Sequence, residues 1–254
     1  MPVKNPAQTE GLEIVDADSP GFSQEIRRLL TPDAQRTASP FLPYSFVILN
    51  NTGRYIWGFT VVYTFPDWIS GSGAPWRFEF SHTARGSDRR YMLAPGDRFL
   101  MTPISSFVAS CDANGKRSKQ PLLDEGLDRI IRVYLPRLNQ HTEAAIDSVI
   151  FEDGLLVGPD SIGRLQSVID RSRANSDLAS AIRDLRGDEL RKELVVLSTA
   201  SGSNDPYTDQ KGDVASALLR MLDQQGESTV LQVLQRIGSP KSYGSFDKVW
   251  RKAE

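Results

Sequence analysis

From residue 55 to residue 65 nearly every second side chain is large and apolar: Tyr55, Trp57, Phe59, Val61, Tyr63 and Phe65. They alternate with Ile56, Gly58, Thr60, Val62 and Thr64. A period of two sets these groups on opposite faces of a strand. Burying each large ring of the odd set is worth about 2–3 kcal/mol, and exposing the whole row would leave an apolar patch that soluble chains avoid. The odd face is therefore expected inside a core. Further strands are predicted at Leu12–Val15, Ser45–Asn50, Trp76–Ser81, Arg98–Thr102, Arg129–Leu135, Ala145–Phe151 and Leu155–Val157. Turn formers punctuate them. Pro95-Gly96 leads into one strand, and Asp153-Gly154 between two apolar runs is a hairpin signal.

Helical spacing appears once before the main strands. Ser23 reads as an N-cap, Glu25 falls in the first turn, and Ile26, Leu29 and Leu30 share a face that Pro32 ends. The two prolines in 39–46 predict an extended lead into the first long strand. Near residue 160 the period changes for good. Ile162, Leu165, Val168 and Ile169 form a stripe behind Asp160 or Ser161. Leu178, Ala181, Ile182 and Leu185 follow Asn175-Ser176, with Gly187 as a stop. Leu190, Leu194, Val195 and Leu197 make a third segment, and 198–212 is rich enough in turn formers to be a loop. Val214, Leu218, Met221 and Leu222 precede Gly226, and Val230, Leu231, Val233, Leu234 and Ile237 follow it. The last ten residues predict a final turn or two anchored by Trp250. The expected class is α+β: an antiparallel β-sandwich over 10–158, then an α-helical segment or small subdomain over 160–254.

Composition narrows the partners. Across 254 residues, 30 Lys+Arg against 32 Asp+Glu give a net charge of −2, with no long block of either sign. No positive field is available for nucleic acid or an anionic membrane, and no apolar run is long enough for a membrane-spanning helix. Cys111 is the single cysteine, so no intramolecular disulfide is expected. The first residues show no apolar signal-peptide core. The chain reads as soluble: cytoplasmic as given, extracytoplasmic if an export segment was trimmed.

Candidate chemistry is sparse. His82 and His141 lie in different segments and have no ligand-spaced partners, so neither a metal nor a cofactor is expected. The 70–75 stretch SGSGAP lacks the spacing of a nucleophile elbow and reads as a hairpin loop. DANGK at 112–116 reads as a β-turn, because Lys116 stands where a calcium loop needs an oxygen ligand. Asp205, Asp209 and Asp213 read as a solvated interhelical loop rather than a cation site. Glu79, Asp147, Glu152 and Asp153 lie in or beside predicted strands, and such dispersed acids leave a hydrolase open. His141 reads as a structural or exposed histidine. Asn50 opens a sequon and reads as a strand-end turn.

The run PYSFVILNNTGRYIWGFTVVYTF followed by LAPGDRF resembles, in layout, immunoglobulin-like sandwich modules of bacterial surface and periplasmic proteins. IDSVIFEDGLLVGPD is similar to segments of uncharacterised bacterial proteins. The resemblance covers about residues 40–160 and implies a fold class and a bacterial origin. It carries over no functional residue. With the catalytic signatures missing, the first expectation is a non-enzymatic binding or structural protein that engages another protein or copies of itself. A carbohydrate-binding module is the alternative, with Trp57, Trp68, Trp76 or Tyr63 stacking on sugar rings. Trp68 and Trp76 flank the Gly/Ser loop and are the better ligand-binding candidates. A hydrolase with converging carboxylates is the second alternative.

Overall fold

The fourteen residues Ile56–Ile69 form the longest strand and organise the β part of the protein. Their computed structural model describes the chain except for residues 2, 6, 8, 70–72, 84–91, 105, 106, 122, 124, 238–250, 253 and 254. It divides into two units. The first comprises Met1–Arg85, Tyr91–Ser161 and Lys252–Glu254; the second comprises Gly86–Arg90 and Ile162–Arg251. The class is mixed α+β, with seven α-helices and two sheets among the described residues.

In the first unit, strands β1 (Val3–Lys4), β2 (Leu12–Asp16), β3 (Phe46–Asn50) and β4 (Ile56–Ile69) are followed by β5 (Pro75–Thr83), β6 (Arg98–Met101), β7 (Ala109–Cys111) and β8 (Arg117–Lys119). Strands β9 (Glu143–Phe151) and β10 (Leu155–Val157) follow, and a two-residue strand, β11 (Arg251–Lys252), comes last in the chain. One sheet contains the order β10-β9-β4-β5, with β1 beside β9, and the other runs β2-β3-β6-β7-β8. Among β1 to β10 the pairing is antiparallel except for β1 with β9. Across the space between the sheets Phe59 meets Phe99 edge-on at 5.2 Å, and Phe46 lies 6.2 Å from Tyr63. Phe59, Val61, Tyr63 and Phe65 are all within this core, as the two-residue period requires. The even face of β4 is not open: Ile56, Thr60 and Val62 are buried too.

Local chemistry explains most of the connections. Asp112 accepts the Asn114 and Lys116 backbone N–H groups at 2.9 and 2.8 Å, closing the β7–β8 turn. Gly154 donates to the Phe151 carbonyl at 3.0 Å in the β9–β10 hairpin. The first helix, α1 (Phe22–Leu29), starts one residue after Gly21 rather than at a Ser23 cap. Its C-terminal carbonyls are capped from far along the chain. Arg117 donates to Arg27, Arg28 and Leu30 at 3.0–3.1 Å, and Gln120 donates to Leu29 at 2.7 Å. Glu25 pairs with Arg28 at 2.9 Å and lies 2.7 Å from Arg98, although that second contact is not aligned for a hydrogen bond.

Three sequence expectations are corrected in this unit. Pro32 opens a second helix, α2 (Pro32–Ala38), because proline suits the first helical position and Thr31 accepts the Ala34 N–H as N-cap. The 39–46 lead contains a 3-10 turn, Leu42–Tyr44, before β3. Arg129–Leu135 is no strand: helix α3 (Glu125–Tyr134) occupies it, with a 3-10 turn at Leu135–Arg137. Leu127, Ile130, Ile131 and Tyr134 recur at helical spacing and form its packed side, leaving Val133 exposed.

The second unit is a helical bundle of α4 (Arg164–Ile182), α5 (Gly187–Ser198), α6 (Pro206–Gln225) and α7 (Glu227–Ile237). Leu178, Ile182, Leu190, Leu194, Leu218 and Val230 share its core. Asn175-Ser176 does not interrupt α4, and Gly187 begins a helix instead of ending one. The interhelical loop ends at Asp205, which caps α6, so it is shorter than the expected 198–212. Val195 turns outward while Leu194 is buried. Trp250 and its expected helical turn lie outside the described residues. Among the described residues no helix is long and apolar enough to cross a membrane.

Candidate binding site

Trp68 and Trp76 stand on the two strands of the β4–β5 hairpin, near its connection. Pairing of Phe65 with Trp76 and of Ile69 with Pro75, with a register shift between them, brings the two indoles together. Their rings stack at 4.7 Å between centroids and 11° between planes. Phe78 lies 5.7 Å from Trp68 and 6.0 Å from Trp76, and Phe65 meets Trp68 edge-on at 6.2 Å. Tyr134, at the end of α3, meets Phe78 at 5.4 Å.

A short segment after α3 completes the cluster. The Arg137 guanidinium lies 4.4 Å from the Trp68 ring centre. With an indole stacked on it as well, Trp68 has both faces engaged, and it is half-buried. Trp76 is 37 % exposed and supplies the accessible ring. Beside them the Asp67 carboxylate accepts from Asn139 Nδ2 at 2.8 Å and lies 3.1 Å from His141 Nδ1. Gln140 Nε2 lies 3.3 Å from the other ring nitrogen of His141. The hairpin thus carries an exposed π-face and, at Asp67, a separate set of planar hydrogen-bonding groups, which suits non-covalent recognition. Sequence reasoning picked out the two tryptophans but missed Arg137, Asp67 and Asn139. The Pro66-Asp67-Trp68 tripeptide places Asp67 beside a candidate ring, but nothing local signals its partners more than seventy residues away.

The other candidates serve the fold. Asp147 is buried, and both its oxygens accept the Ser161 N–H at 3.1 and 3.0 Å, with the Ser161 hydroxyl at 2.6 Å. Asp205 caps α6, and the Thr208 hydroxyl and N–H hold its carboxyl below the usual range. Asp209 accepts the Gly202 N–H, and Asp213 accepts the Ser201 hydroxyl, both at 2.6 Å. Asp153 pairs with Arg54 at 2.6 Å, and Glu79 is exposed on β5. Asn50 is fully buried and bonded on both sides of its amide. Trp57 and Tyr63 are buried and present no open ring. Cys111 is buried, which pushes its thiol up, while Arg98 pulls the other way. Residues 70–72 lie outside the described residues. Among those described, no group of three or more His, Cys, Asp or Glu side chains is placed to hold a metal ion. Compared with the models of known protein families, with curated proteins and with solved structures, the chain matches none of them.

Proposed function

We propose that this chain is a non-enzymatic binding protein whose contact surface is the Trp68–Trp76 end of its β unit. The carrying observation is the stacked indole pair: Trp68 is fixed by Trp76 and Arg137, and Trp76 stays 37 % exposed. A rigid, partly exposed aromatic beside an arginine has the composition of a protein-binding anchor. Of the acids a hydrolytic reading would draw on, Asp147 is held by Ser161 and Asp153 is paired with Arg54, which adds support. The partner class is another protein or a second copy of the chain.

An immunoglobulin-like ancestry for the β unit belongs to the same proposal. It draws support from the order β5-β4-β9-β10, which can be laid over strands C′, C, F and G of such domains, and from β2-β3-β6, which can be laid over A, B and E. The strands beyond β6 depart from that plan, because β7 and β8 follow it in sequence where the immunoglobulin D strand precedes E.

A carbohydrate ligand is the second reading, favoured by the open ring of Trp76 on the same hairpin that carries the hydrogen-bonding group Asp67. Affinity enrichment with the wild-type and Trp76→Ala chains tests the first reading, with sedimentation velocity over a concentration range for self-association. The expected result is a partner, or a self-associated species, that the substitution removes. Identical behaviour of both chains overturns it. A saturable change in tryptophan emission on a glycan panel would decide for the sugar, and an unchanged emission would eliminate it.

A further inference from the structure

At the opposite end of β4 from the tryptophans, the residues before β2, the β3–β4 connection and the β9–β10 hairpin border a cleft of about 570 Å3. Its size is that of a small-ligand site. Two of the side chains lining it carry opposite charges. Arg54 lies flat over Phe151, with its guanidinium 3.8 Å from the ring centre, and one of its nitrogens is 2.6 Å from Asp153 Oδ1. Its remaining donors have no acceptor among the described residues. Glu10 is exposed and makes no hydrogen bond or ion pair among them. Thr9 is 7 % exposed, and its hydroxyl has no partner among the described residues. Val157 supplies the apolar lining, while the Phe151 ring lies buried beneath Arg54 and braces it.

Backbone and side-chain hydrogen bonds tie the frame around these groups together. The Asn51 N–H donates to the Gly11 carbonyl at 2.8 Å, and Asn51 Nδ2 donates to Glu13 at 3.0 Å. Gly11 has φ +76°, and a Cβ there would stand 2.6 Å from the Asn51 carbonyl oxygen. A site held this firmly loses little entropy on binding.

We propose that this cleft binds a free α-amino acid with an apolar side chain. Its carboxylate is received by the open edge of Arg54, its ammonium by Glu10, and its side chain by Val157. The charges select the class. A simple anion would face Glu10 and Asp153, and a simple cation would face Arg54, whereas a zwitterion meets a partner at each end. The planar guanidinium fork suits a carboxylate in particular.

Calorimetric titration of the full chain with leucine, isoleucine, valine, methionine and phenylalanine tests this. The comparison ligands are 4-methylvalerate and isopentylamine, which are leucine without its ammonium and without its carboxylate. At least one amino acid is expected to saturate, with both analogues weaker than leucine by about tenfold or more. Glu10→Gln, at an exposed position, should weaken leucine by a similar factor and leave 4-methylvalerate unchanged. Arg54→Gln should weaken both, with thermal melting run in parallel because Arg54 packs on Phe151. Trp76→Ala should bind leucine like the wild type, which separates this cleft from the tryptophan surface. Absence of saturable heat with all five amino acids, equal binding of leucine and its analogues, or wild-type affinity in Glu10→Gln would overturn the proposal.

Discussion

The two ends of β4 are secured by different physics. At the Asn50 end the chain is wired by short-range polar bonds. Asn50 Nδ2 donates to the Arg54 and Leu93 carbonyls at 2.8 and 3.2 Å, while its oxygen accepts from the Thr52 hydroxyl at 2.7 Å. Three of the residues involved lie within four positions of each other. At the Trp68 end the order comes from ring on ring and from a segment seventy-two to seventy-four residues away, through Asn139 and His141. The first kind of end is fixed by residue type at close spacing. The second depends on register and on which distant element arrives. Both ends leave a ring exposed, Tyr55 at 38 % and Trp76 at 37 %, but only Trp76 is stacked on a second indole that an arginine also covers, which is why the proposed contact surface lies there.

Substitutions at the wired end should therefore cost most. Asn50→Ala strands two carbonyls and a hydroxyl at a fully buried position, and a loss of about 3 kcal/mol is expected from urea denaturation. A loss close to zero would show that the loop holds its shape without the amide. Gly11→Ala forces a side chain into a left-handed backbone and against the Asn51 carbonyl, with an expected loss of about 2 kcal/mol.

Midway along the strand, Tyr63 is fully buried and its hydroxyl has no partner among the described residues, so Tyr63→Phe should stabilise by about 1 kcal/mol. Burial holds its ionisation well above the ordinary tyrosine value, so above that value the unfolded chain gives up the proton while the folded chain keeps it. Stability tied to Tyr63 is thus intact below about pH 10 and falls as pH rises beyond it. Melting curves of Tyr63→Phe should lack that alkaline slope. The smallest effect belongs to the tryptophan end. Trp76→Ala removes one stacking contact at a partly exposed site and should cost under about 1 kcal/mol. A loss as large as that of Asn50→Ala would erase the contrast between the two ends.

That contrast also governs what could be read from the chain. The β4 alternation, the Asp153-Gly154 hairpin and the Asp112 turn rest on neighbours in sequence, and each was visible there. Helix α3 was missed although Leu127, Ile130, Ile131 and Tyr134 carry its period, because Ile130, Ile131 and Val133 favour extended backbone. Pro32 was read as a stop, when Thr31 before it made it a start. The two tryptophans were identifiable as large rings beside a flexible loop. Their mutual stacking was not, since it needs the register shift between Phe65 and Ile69. Arg137 and Asn139 reach the site only because α3 ends where it does, and no local pattern encodes that.

The bond between Asp147 and Ser161 has a practical consequence for anyone dissecting the chain. Gly158 passes so close to β9 that a Cβ there would sit 2.3 Å from the Asp147 carbonyl, and Asp160 takes a left-handed turn at φ 54° to bring Ser161 round. A fragment cut after the last β10 residue would keep β1 to β10 yet leave a carboxylate in the protein interior without its donors. A cut after Ser161 retains them. The earliest usable cut after β10 is thus set by a charge that must be satisfied, four residues past the point where that hairpin closes.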